Sequence, residues 1–227
     1  MSIGTMLIYF AVLLILPMWA SSRVKNTYKK YSQIPNSSQM TGREVALRIL
    51  QENGIHDVRV EETKGVLSDH YDPRQKVIRL SSENYHKPSQ AGAAVAAHEV
   101  GHAIQHAQGY GFLKFRTALV PMASLGSNMS YFLIIGGMII GASGLYLAGI
   151  VLMAFAVLFQ LVTLPVEFDA SNRAMTQLVS TGVITNNEHR ETKKVLNAAA
   201  WTYVAAAAVA VMELGRFILL YLSSQNN

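Results

Sequence analysis

Cysteine is absent from the 227 residues, which excludes a disulfide framework, a thiolate metal site and a cysteine nucleophile. Any metal must therefore be held by His, Asp or Glu. Charge is also scarce. Only 15% of residues are charged, where an ordinary soluble domain carries about a quarter, and 51% are hydrophobic. With a mean hydropathy of +0.23 the chain is neither disordered nor a purely soluble globule. The formal net charge is +5, but no basic stripe with interleaved aromatics accompanies it, so nucleic acid is not an expected partner.

The longest gap in charge runs from Thr117 to Val166, 50 positions. One membrane crossing takes roughly 20 residues, so the stretch is long enough for two. Gly141-Ala142-Ser143-Gly144 is the natural turn between them. It leaves Pro121–Ile140 and Leu145–Leu164 as the centres of spans placed at 117–141 and 144–165. Residues 3–22 form a first uncharged run. A cleaved signal would place Lys or Arg ahead of that run, whereas Arg23, Lys25, Lys29 and Lys30 follow it, so an anchor is expected. The segment 197–222 is a fourth span. It contains Glu213 and Arg216, three apart on a helix and able to pair; Arg216 is expected to snorkel to the interface, the alternative being that the pair marks a polar contact inside the helix bundle. Of 19 Lys and Arg, 14 lie in residues 21–116 and four in 165–197. Two crossings separate those segments, which puts both on one side, and the positive-inside rule makes that side the cytoplasm of a multi-pass cell-membrane protein.

Outside the membrane, the first basic segment (23–116) reads as a small mixed domain. Thr41-Gly42-Arg43-Glu44 has the form of a capping box, opening a helix with Val45, Ala46, Ile49 and Leu50 on one face and Gly54 as its stop. Val58 and Val60, and then Val77 and Leu80 around Ile78, suggest two short strands joined by a loop holding Asp69, His70, Tyr71, Asp72 and Pro73. A second helix is expected from about Pro88 to Gln108, with Gly109 just past its end.

That helix carries His98-Glu99-Val100-Gly101-His102. Two His at i and i+4 project from one helical face, so both imidazoles reach one zinc ion, and the Glu between them can act on water without being a ligand. A catalytic zinc takes three protein ligands. His106 continues the face but sits about 12 Å along the axis from His98 at a rise of 1.5 Å per residue, and no Gly turns the chain before Gly109. The third ligand must come from elsewhere. Glu167 is the best candidate, at the polar start of a helical segment (166–196), returned by two crossings to the side that holds His98 and His102.

These residues resemble the YugP-type membrane zinc metallopeptidases, a bacterial gluzincin family. The resemblance rests on the leading anchor, Thr41–Gly54, Asp69-His70-Tyr71-Asp72-Pro73, His98 to His106, and Glu167-Phe168-Asp169-Ala170-Ser171. The chain is more distantly similar to the HtpX and CAAX-prenyl endopeptidase group, whose Glu-x-x-Ala-Asp motif supplies the third ligand. Carried over, that Glu is Glu167 and the Ala is Ala170, while Ser171 stands in place of the Asp that supports a zinc histidine. Ser171, Asn172 and Asp169 are all open to that role; Ser171 shares the Glu167 face and Asp169 does not, which favours Ser171 or a group from another helix.

The resemblance implies a mainly α integral membrane protein of about four transmembrane helices with a small α/β zincin-like domain containing a short sheet. The implied activity is zinc-dependent endopeptidase: one zinc held by His98, His102 and Glu167, with Glu99 as general base and later general acid. The substrate would be a protein or peptide, membrane proteins included. His70, Tyr71, His106, Arg173 and His189 are candidates for oxyanion stabilisation. The strand Gln75–Leu80 is expected to offer its edge to an extended peptide. Two other readings compete. One is a membrane zinc-binding scaffold without turnover; the other is a transporter built on Glu213 and Arg216, which leaves the zinc motif unexplained.

Overall fold

A computed structural model describes residues 2–225. It is mainly helical, with four helices long and apolar enough to cross a membrane and one small three-stranded sheet. The elements run α1 (Ile3–Tyr31), α2 (Gly42–Glu52), β1 (Arg59–Thr63), β2 (His70–Asp72), β3 (Val77–Ser81), α3 (Ser82–His86), α4 (Gln90–Ala107), α5 (Gly111–Ile140), α6 (Ser143–Ser180) and α7 (His189–Gln225). The four long helices are α1, α5, α6 and α7. They leave large apolar side chains outside: Leu7, Ile8, Leu14 and Ile15 on α1 are 63–67% exposed. An apolar face on that scale calls for a non-aqueous neighbour.

The chain divides into two compact units. One consists of Met1–Pro17, Gly111–Pro165 and Tyr203–Asn227. Its α5 and α6 meet across the Gly141–Ala142 turn, and the backbones touch at Gly126, where a Cβ would stand 2.2 Å from the Leu152 carbonyl oxygen. Small residues at such contacts are the rule for helices packed in lipid. The core is Ile134, Tyr146, Ile150, Met153, Val157 and Phe217. Glu213 accepts hydrogen bonds from Tyr9 and, at 2.9 Å, from Tyr131. Arg216 lies 3.7 Å from Glu213 and 5.2–5.4 Å from the ring centres of Tyr9, Phe10 and Phe217. The expected snorkelling is thus replaced by a polar contact inside the helix cluster. A charge at membrane depth is costly alone, and three aromatic faces and a carboxylate compensate it here.

The other unit, Met18–Tyr110 and Val166–Thr202, holds the sheet. Thr41 and Glu44 close the capping box of α2 from both sides, and α2 stops at Asn53, with Gly54 at φ +66°. Its apolar face, Val45, Ala46, Ile49 and Leu50, joins Ile78, Leu80 and the alanines of α4 in one core. The sheet order is β1-β3-β2, with β1 parallel and β2 antiparallel to β3. Two expectations change. The segment read as a loop supplies the strand β2. And β3 (Val77–Ser81), flanked on both sides, has no free edge for a peptide; the outer edges belong to β1 and β2.

Candidate metal centre

The geometry of the site follows from the register of α4. Ser89 caps the helix by accepting from Gly92 N–H at 3.0 Å, and Tyr110 N–H closes back on Gln105 O past Gly109. The small residues Ala91, Ala93, Ala94, Ala96 and Ala97 are buried, so neighbouring elements approach closely. His98 and His102 then stand one turn apart, with ring centres 4.8 Å from each other. Their partner comes from α6. This helix runs unbroken through Pro165, so Glu167 sits inside it rather than at the start of a new one.

Glu167 Oε2 lies 3.2 Å from His98 Nε2 and 3.6 Å from His102 Nε2, and the three donor atoms fall within 4.8 Å of one another. Donors placed about 2.0–2.2 Å from a tetrahedral zinc are separated by roughly 3.3–3.5 Å. Two imidazole nitrogens and one carboxylate oxygen at these spacings suit that ion. Glu167 is almost fully buried, at 3% exposed, which removes competing water.

Glu99, between the two histidines, is also buried. Burial pushes its carboxyl above the ordinary glutamate value; the positive sides of His98 and His102 oppose the shift, and Glu167 and Asp69 reinforce it. For His102, burial alone would lower the imidazole, but the hydrogen bond and charge of Glu167 outweigh it and the net shift is upward.

Each histidine has a partner on its other nitrogen. Ser171 Oγ is 3.2 Å from His98 Nδ1, and Gln105 Oε1 is 3.0 Å from His102 Nδ1. Asp169 touches neither ring. It accepts from Gln105 Nε2 at 2.8 Å and from Arg173 Nε at 2.5 Å. Gln105 escaped the sequence reading, although its place at i+3 from His102 was visible.

The oxyanion candidates scatter. Tyr71 and His106 bond each other at 2.8 Å, and both line a cavity of about 380 Å³ with Ile55, Asp57, Val58 and Lys76. Burial raises the Tyr71 hydroxyl to about 12, so it stays a donor at neutral pH. Arg173 is engaged by Asp169 and Gln108. His70 is exposed and bonds Ser68 O, and His189 opens α7.

Gly101, inside the histidine pair, lets α4 and α6 touch: a Cβ there would meet the Ala170 carbonyl oxygen at 2.6 Å. Glycine costs a helix interior about 1 kcal/mol relative to alanine, and its presence here reflects that close approach. Gly101→Ala is expected to destabilise the protein by about 1–3 kcal/mol, the usual range for overpacking, and to weaken zinc binding by moving Glu167. Thermal melting and zinc titration of the detergent-solubilised variant check both effects.

The chain belongs to the family described as "Putative neutral zinc metallopeptidase", whose model matches residues 6–222. It is 48% identical over 211 residues, 93% of this chain and 94% of the other, to "Putative membrane protease YugP" of Bacillus subtilis (strain 168). No solved structure matches it.

Proposed function

We propose that this protein is an integral-membrane zinc endopeptidase whose single ion is held by His98, His102 and Glu167. The observation that carries the reading is the convergence of those three donor atoms within 4.8 Å beside a buried Glu99. Zinc supplies Lewis acidity, polarising the scissile carbonyl and making a water acidic near neutral pH. Glu99 takes the proton of the attacking water and delivers it to the leaving amine. Its burial supports both steps, because a carboxylate whose pKa is raised above the ordinary glutamate value is a stronger base toward the water, and the carboxyl it becomes still yields its proton to the more basic leaving amine. Glu167 neutralises part of the ion's charge and, through its burial, keeps bulk water from the donor set.

An extended peptide would add to the outer edge of β2, which pairs only with β3 and whose Tyr71 reaches His106 on α4. Tyr71, one of the five oxyanion candidates, keeps its hydroxyl hydrogen at neutral pH because burial raises its pKa. The site would lie on the cytoplasmic face of the cell membrane, by the distribution of Lys and Arg. Because the chain has no native cysteine, a single cysteine at Ser68 reports its side by reaction with an impermeant thiol reagent. Labelling from outside intact cells would reverse the orientation.

The test of the activity is metal removal. Chelation of the detergent-solubilised protein is expected to abolish cleavage of an unstructured protein such as casein, and stoichiometric zinc to restore it. A protein that binds zinc yet cleaves nothing before or after reconstitution would favour the scaffold reading.

A further inference from the structure

Gln105 is fully buried, 0% exposed, and three hydrogen bonds hold its amide, two at one end and one at the other. One end of its amide lies 2.8 Å from the Val166 carbonyl oxygen and 2.8 Å from Asp169 Oδ2. A backbone carbonyl only accepts, and Asp169, paired with Arg173, is a carboxylate that only accepts. That end must therefore be the NH₂ group, with one hydrogen for each acceptor. The other end is then the carbonyl oxygen, which cannot donate. It faces His102 Nδ1 at 3.0 Å, so Nδ1 must carry the hydrogen.

We infer that Gln105 is a positioning residue that fixes His102 in the tautomer with Nδ1 protonated and Nε2 left to the metal. The Ser171 hydroxyl beside His98 can donate or accept and imposes no such choice. The two ligand histidines are thus held differently, one by a rotatable hydroxyl and one by an amide whose orientation is dictated from α6. The same amide ties α4 to Val166, the residue before Glu167, so one side chain sets both the tautomer of one ligand and the distance of the helix bearing the third. An amide does this without adding a second negative charge beside Glu167.

The inference rests on the zinc reading, and the experiment separates the two. Zinc-loaded wild-type protein with ¹⁵N-labelled histidine, in detergent, is compared by NMR with the His102→Asn variant to assign the His102 ring. The expected spectrum has hydrogen on Nδ1 and the metal shift on Nε2. A His102 ring bound to zinc through Nδ1 overturns the inference while leaving the zinc site intact; no metal shift on any histidine overturns the zinc reading itself.

Gln105→Met, which keeps the length of the side chain but removes the acceptor, supplies a second readout. Its zinc Kd, from competition with a chelator, is expected to rise about 10–100-fold, the usual cost of losing such a partner. Asp169→Asn, which retains an acceptor for the Gln105 amide, is expected to shift it by less. The visible spectrum of the cobalt-substituted Gln105→Met protein should change as well. If Gln105 only packs the helices, its replacement would lower the melting temperature and leave the zinc Kd and the cobalt spectrum unchanged.

Discussion

Replacing Glu99 by Gln is expected to leave zinc bound and to reduce kcat/KM by about 10²–10⁴-fold, the range for loss of a general acid–base group. The substitution keeps the size and polarity of the side chain, and Glu99 is not among the three converging donor atoms, so the metal content should hold. Retained cleavage with zinc in place would remove Glu99 from the mechanism. The wild-type pH profile adds a signature. The active base is the carboxylate, and burial raises its pKa above the ordinary 4.5. Activity should therefore rise with pH through an acid limb lying above the usual glutamate range.

Glu167→Ala should produce the other large effect, and through a different quantity. It removes one of the three proposed ligands, so zinc affinity should fall by more than the roughly 10–100-fold that follows loss of an indirect partner, and activity should fall with it. Metal analysis after gel filtration in detergent reads this directly. The protein should stay folded, because α6 passes continuously through this position and buries Val166, Ala170, Ala174 and Leu178 along the same segment. A Glu167→Ala protein that retains one zinc per chain at wild-type affinity would assign the third ligand elsewhere.

Much of the helical framework was legible because its signals are local. The charge-free runs, the Gly141–Gly144 turn and the Thr41–Glu44 box each depend on residues within a turn or two of one another, but the helix ends do not follow from them: α1 runs on to Tyr31, and α6 continues through Pro165 into the segment read as separate and stops at Ser180. The His98/His102 pair was legible for the same reason, since the helical period alone puts the two rings on one face. Glu167 was reachable by counting crossings.

The sheet was less so. His70–Asp72 is only three residues long and carries no alternation that distinguishes a short strand from a loop. The central place of Val77–Ser81 depends on a parallel partner, Arg59–Thr63, that no local pattern specifies. For Arg216 the sequence offered two readings, and the preferred one, reaching for water, gave way to the inward contact, because Tyr9 and Phe10 from α1 join the local partner Glu213 around it.

By itself, then, the sequence determined which stretches avoid water, where α2 and α4 form, and that His98 and His102 share one helical face. Those properties arise from nearest neighbours along the chain and from the transfer energy of whole segments. The tertiary structure decided which atoms face those imidazoles from behind: Ser171, already favoured, at His98, and Gln105, unforeseen, at His102. Gln105 meets Asp169 across 64 positions and Ser171 meets His98 across 73. Contacts of that separation are set by how closely α4 and α6 pack at Gly101, a distance that no single segment encodes.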